Sequence, residues 1–200
     1  MKYEDEKILA LINEAEKLNK PRNILTGPVR IGDQDYEFAE RFFFSDMLKL
    51  HIPKTFEPMS ITMQKIKYPH EQRPEIVLTN QPGSVNITLN RVDQKLQDEW
   101  VERLTSGMKA MLKKMSPANV FYDEQVESIN GKRIGYFDFK SPALDEPAYH
   151  MMFYFELSGE TVMGSFNCPY KQYTEWRDIV LQIIRSIHTI TPEEGEETSE

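Results

Sequence analysis

The chain has 200 residues, is 40% hydrophobic and 28% charged, and carries a formal net charge of −8. These are the proportions of one globular domain with room for a real core. No apolar run approaches the ~18–20 residues a membrane-spanning helix needs, and no clustered basic excess marks a nucleic-acid binder. Much of the negative charge is terminal. From Thr191 the sequence TPEEGEETSE places Glu193, Glu194, Glu196, Glu197 and Glu200 together, which predicts a disordered, solubilising tail over 191–200. The start, MKYEDEKILALINEAEK, is acidic with spaced apolar residues, unlike a secretory leader. Cys168 is the single cysteine, and a lone thiol suits a reducing compartment, so a cytoplasmic location is expected.

Tyr3 to Lys20 carries Ile8, Leu11, Ile12, Ala15 and Leu18 on one helical face. This predicts an amphipathic helix, packed on its own domain or offered as a partner or dimer arm, and Pro21 ends it. Gly27-Pro28 and Gly32-Asp33 mark turns around a short strand at Val29–Ile31. Tyr36 to Phe44 reads as extended, with Tyr36, Phe38, Phe42 and Phe44 on one side and Phe43 on the other. Ser45-Asp46 is the turn to a second strand, Met47 to Ile52, closed by Pro53. Further strands are expected at Ile61–Lys67, Glu75–Thr79 and Ser84–Arg91, the last two joined by the turn Asn80-Gln81-Pro82-Gly83.

Leu96 to Met115 has the helical period, through Leu96, Trp100, Leu104, Met108, Met111, Leu112 and Met115, and Ser116-Pro117 closes it. Four strands follow, at Val120–Ser128, Lys132–Ser141, Ala148–Ser158 and Glu160–Asn167. Asn130-Gly131 and Ser158-Gly159 predict tight hairpin turns between them. A last helix is expected over Tyr173 to Ile190, burying Trp176, Ile179, Val180, Ile183, Ile184 and Ile187. Meanders of strands separated by helices predict an α+β fold with a central antiparallel sheet. The run MMFYFEL is apolar on both sides, which places it centrally, with helices on both faces.

From Leu48 to Ile190 the residues fall in a recognisable order. An opening strand runs into LHIPKTFEPM, and a meander and a long middle helix follow it. Then come NGKRIGYFDF, the hairpin MMFYFELSGETVMGSFNCP, and a closing helix WRDIVLQIIRSI with Trp176, Ser186 and Ile187. This order resembles the PsbP-like fold family: the photosystem PsbP proteins, the Ran-binding Mog protein, the DcrB lipoproteins and the Eag-type secretion chaperones. The resemblance implies an α/β/α sandwich over 48–190, with an added N-terminal helix and hairpin over 1–47 packed on it. Family members mostly act in binding or assembly, so it implies no activity by itself. The acidic pattern by which Mog proteins contact Ran has no counterpart in this sequence.

The sequence carries no evident catalytic set. His51, His70, His150 and His188 are scattered, with no pair at a spacing that puts two ligands on one helical face. Cys168, before Pro169, lacks an evident base and reads as a half-buried thiol. Ser106 and Lys109 match S-x-x-K, but the companion Ser-Asp-Asn and Lys-Thr-Gly elements are missing. Asp145 and Glu146 sit in a proline-flanked loop and read as solvated. Asp138, between Phe137 and Phe139, needs a partner if buried, with Lys132 or Arg133 the candidates across the turn.

The methionines stand out. Met108, Met111 and Met115 lie along the middle helix, Met151, Met152 and Met163 on the hairpin, and Met59 and Met63 near an early strand. Methionine is flexible and polarisable and suits surfaces that accept varied apolar partners; the competing role is to fill gaps in the core. The expectation is a non-catalytic, chaperone-like interaction or assembly module without cofactor or metal. Its partner would be a protein, a second copy of the chain included, met through Met108, Met111, Met115, Met151, Met152 and Met163. The alternative is a small-molecule binder or unrecognised enzyme with a pocket between sheet and helix.

Overall fold

The computed structural model describes residues 22–69, 73–143 and 145–190. The predicted helix Tyr3–Lys20, His70 and the acidic tail lie outside the described residues. In chain order the elements are β1 (Val29–Ile31), β2 (Gln34–Tyr36), β3 (Phe38–Phe43), β4 (Leu48–Pro53), β5 (Glu57–Pro58), α1 (Ile61–Lys67), β6 (Ile76–Thr79) and β7 (Asn86–Lys95). A 3-10 turn, Asp98–Trp100, then leads into α2 (Val101–Met115). After it come β8 (Val120–Ile129), β9 (Lys132–Ser141), β10 (Ala148–Leu157), β11 (Glu160–Pro169), a second 3-10 turn (Tyr170–Gln172), α3 (Tyr173–Arg185) and β12 (His188–Thr189). The main sheet is antiparallel in the order β5-β6-β7-β11-β10-β9-β8; β12-β4-β3 form a smaller sheet and β1-β2 a hairpin.

Turn chemistry fixes the meander. Asn130 and Gly131 have φ of 49° and 79°, and Ser158 and Gly159 have 51° and 84°. Two successive positive φ angles match the right-handed twist of the strands they join. The resulting register pairs Ile129 with Lys132 and Leu157 with Glu160. It also places β10 between β9 and β11, well inside the sheet, as its doubly apolar sequence predicts.

Period two then divides the main sheet into two faces. Phe137, Phe139, Met152 and Tyr154 point one way, and Ile134, Tyr136, Met151, Phe153 and Phe155 the other. On the first face Leu104, Met108 and Leu112 of α2 pack on Phe137, Phe139 and Tyr154. The second face carries the larger core, where Ile179, Ile183 and Ile184 of α3 join Leu48, Leu50 and Ile52 of β4. Trp176 is 1% exposed at its centre, with ring centroids of Tyr36, Phe166 and Phe56 at 5.3, 5.4 and 6.0 Å. The layer on this side is therefore mixed, a helix beside a small sheet, and strands dominate an α+β protein.

Three expectations are corrected. Ile61–Lys67 is a helix, not a strand. Ser60 caps it, its hydroxyl accepting from the Met63 N–H at 3.4 Å, and the basic Lys65 and Lys67 close it. The alternation of Ile61 and Met63 suggested a strand, yet no residue of α1 is buried. In β3 the phenylalanines alternate as expected, Phe38 and Phe42 on one side and Phe43 on the other. Phe43 lies opposite Leu48 on the core side, and Phe42, opposite Lys49, is 51% exposed. The middle helix begins at Val101, leaving Leu96 and Trp100 in the approach to it. The last helix stops at Arg185, after which His188–Thr189 pair with β4.

Candidate interaction face on helix α2

The register gathers five of the six candidate methionines on one side of the protein. Met108 of α2, Met152 of β10 and Met163 of β11 pack around Phe137, Phe139 and Tyr154. Met111 and Met115 stand out from the same helix, 43% and 71% exposed. Met151 does not belong with them. Opposite Asp138 in the register, it turns to the other face and is 0% exposed.

Trp100, Leu104, Met111 and Met115 follow one another at helical spacings of four, seven and four, so they form one file along α2. The file opens at its N-terminal end into a recess of about 460 Å³ lined by Leu96, Trp100, Arg103 and Leu104 with Gln94, Lys95 and Gln97. The Arg103 guanidinium sits 5.3 Å from the centre of the Trp100 ring, a cation–π contact. Helix and sheet meet closely beneath the file because β9 carries Gly135 there. A Cβ at that position would lie 2.0 Å from Thr105 Oγ1.

The other candidate residues are used up structurally. Ser106 and Lys109 do come together, on Glu124 of β8: the Ser106 hydroxyl donates to one carboxylate oxygen and Lys109 Nζ lies 3.0 Å from the other. These contacts, Ser106 first, hold the Glu124 carboxyl below the usual range, so it is a poor base for activating the serine. Cys168 is 2% exposed, and burial pushes its thiol up to about 12, so it stays a thiol rather than a reactive thiolate. His150 stacks on Phe139 at 4.8 Å and meets Ser141 Oγ at 2.8 Å, its pKa lowered by burial to about 4. His51 lies in β4 and His188 in β12, both in the smaller sheet and apart from His150. Among the described residues no group of three His, Cys, Asp or Glu side chains is placed to hold a metal ion. Glu146 pairs with Lys171 at 3.1 Å.

Asp138 is buried, 1% exposed, but its partner is neither Lys132 nor Arg133. It accepts from Arg177 Nε of α3 at 2.9 Å, from the Tyr149 hydroxyl at 2.9 Å and from the Asp123 N–H at 2.8 Å. The last of these satisfies a backbone donor that the β8–β9 bulge between Phe121 and Glu124 takes out of the ladder. Around this ion pair Tyr122 and Tyr170 stack on Tyr173, each at 5.5 Å. Burial first, and then Asp138, raises the Tyr149 pKa, so its hydroxyl remains a donor. Sequence reasoning missed this cluster. The signal was the spacing of Tyr170, Tyr173 and Arg177 by three and four at the start of the last helix.

No protein-family model and no curated protein sequence matches the chain. Among solved structures it is similar to the cyanobacterial PsbP protein CyanoP of Synechocystis sp. PCC 6803, with TM-score 0.57 and 7% identity over 80% of this chain and 96% of that one. It is also similar to LpqN of Mycobacterium tuberculosis, a protein involved in cell envelope biogenesis, with TM-score 0.51 and 12% identity over 81% and 95%. A Bacteroides thetaiotaomicron protein matches with TM-score 0.50 and 8% identity over 77% of this chain but 49% of its own length. Identities this low speak for architecture alone, and no described helix is long and apolar enough to cross a membrane. By these structural likenesses the chain has a PsbP-like fold.

Proposed function

We propose that this protein is a non-catalytic interaction or assembly module that engages a protein partner through the α2 face. The observation that carries this reading is the file of Trp100, Met111 and Met115, exposed by 49%, 43% and 71%, and backed by half-buried Met108, Met152 and Met163. Apolar side chains scattered singly are ordinary on a surface, whereas a contiguous file backed by adaptable methionines suits a partner. The polar groups nearest to a catalytic arrangement, Glu124 and Asp138, already spend their oxygens on fixed donors. A chaperone-like role in the cytoplasm, where the buried Cys168 stays reduced, fits the same features.

A photo-crosslinking residue at position 111 or 115, with position 178 on α3 as the control, tests the reading in the native cell. One partner should be captured from α2 and not from position 178. Equal capture from both helices, or none from α2, would falsify it. A second reading, a small-molecule site, is favoured by the recess beside Trp100. A low-molecular-weight apolar ligand that quenches Trp100 and blocks the crosslink would support that alternative.

A further inference from the structure

The α2 edge has a charge as well as a shape. Within a chain of net charge −8, α2 carries Arg103, Lys109, Lys113 and Lys114 against one acid, Glu102. Lys109 is committed to Glu124 at 3.0 Å and Glu102 to Arg133 at 3.1 Å, and Asp98 accepts from the Arg133 N–H at 2.9 Å. Asp98 and Glu102 thus turn toward β9, away from the methionine file, and Glu99, exposed beside Trp100, is the one acid of 98–115 on the cation side. Arg103 and Lys114 lie on the other side of that file, with Gly107 on the line between them, and Lys95 borders the recess. All three cations are exposed, and no ion pair among the described residues engages them. A Cβ at Gly107 would meet nothing within 4 Å, so the helix surface between the cations is flat and open.

We propose that this edge docks an acidic amphipathic helix of a partner protein. The proposal rests on reading α2 as the interaction face and adds the chemistry of what binds there. From Trp100 to Met115 the file runs about 22 Å at ~1.5 Å per residue, the length of a four-turn helix lying alongside. Such a helix seats one large apolar side chain in the recess against Leu96, Trp100 and Leu104. Further apolar residues, four, seven and eleven positions on, meet Met111 and Met115. Its carboxylates lie opposite Lys95, Arg103 and Lys114, which give the docking its direction and its charge preference.

The probe is a capped, fluorescein-labelled peptide of about sixteen residues with leucines at that spacing and glutamates on its flanks; its twin has lysine for every glutamate. Titrated with the full chain and followed by anisotropy, the acidic peptide should bind at least tenfold more tightly than its twin. The double variant Arg103→Glu with Lys114→Glu should reverse that order while its circular dichroism is unchanged. If both peptides bind equally and Met111→Asp abolishes both, the charge inference is overturned and the docking face stands. If neither binds, the charge inference fails, and the crosslink from position 111 separately decides the docking reading. Binding to phosphatidylglycerol vesicles without peptide binding overturns the proposal in favour of a membrane. Self-association lost on Met111→Asp, without peptide binding, overturns it in favour of a second copy of the chain.

Discussion

Asp138 shows how much a single residue can ask of distant sequence. A carboxylate 1% exposed between two phenylalanines is tolerable only with dedicated donors, and Arg177, 39 positions away, is the charged one. Arg177→Met leaves that charge buried without its cation and should cost on the order of 3–5 kcal/mol in urea unfolding. Arg185→Met, at a side chain 51% exposed against Glu127, should cost about 1 kcal/mol or less. Equal losses would show that the Asp138 pair is not the special one. The sequence makes the apolar setting of Asp138 legible because Phe137 and Phe139 adjoin it. Its partner is not legible, because a helix docking across the sheet decides it. The nearer cations are taken elsewhere, Lys132 by Glu156 and Arg133 by Glu102.

Between elements, close approach depends on two glycines that face opposite ways. Gly135 lets α2 settle on β9. A methyl group there would lie 2.0 Å from Thr105 Oγ1 and 3.2 Å from Val101 Cγ1, so Gly135→Ala should destabilise by roughly 1–3 kcal/mol. Thr105→Ala in the same chain should restore part of the loss, a coupling that two independent lesions would not show in thermal melts. Gly164 gives way to the Phe153 ring, which a Cβ would approach to 2.0 Å, and Phe153 is 1% exposed with no room to retreat. The strands and hairpins were readable because alternation and positive-φ turn residues are local signals. The helix α1 was not, since Ile61 and Met63 are spaced as in a strand and its helical signals, the Ser60 cap and the closing Lys65 and Lys67, are all polar. The inward face of β3 was likewise hidden: its phenylalanines fall on both sides, and only pairing with β4 selects Phe43.

At the scale of the whole molecule, the edge strand β8 is pinned to both helices by charge. Glu124 holds Ser106 and Lys109 of α2, and on the other side Arg177 holds Asp123 and Arg185 holds Glu127. The Arg185 hydrogen bonds, helped by Tyr136, lower the Glu127 carboxyl from 4.5 to about 2, and that of Glu124 is lowered as well. A depressed carboxyl contributes stability that is present above its unfolded pKa and lost as pH falls through its folded one. Stability should therefore drop between about pH 4.5 and 2, and Glu127→Gln should flatten urea-midpoint curves in that window. His150 acts at higher pH. Buried, with its pKa lowered from 6.5 to about 4, it stays neutral when folded while the unfolded chain takes up a proton. Stability should decline from pH 6.5 toward 4, by up to roughly 3 kcal/mol. An unchanged slope in His150→Gln would remove it as the source.

The position of β7 in the main sheet bears on how the chain is completed during synthesis. Its outer neighbour, β6, precedes it, but its inner neighbour is β11, and the Asn86–Asn167 contact joins residues 81 positions apart. A chain made from the N-terminus thus carries Ile87 and Leu89 on a strand with one open edge while α2 and three further strands are still being added. The hairpins β8–β9 and β10–β11 need only local contacts and close within about 1–10 μs, so β11 reaches β7 already paired on its far side. That seam should be the last part of the main sheet to close, and a product truncated before β11 should display β7 as an unpaired template for other chains.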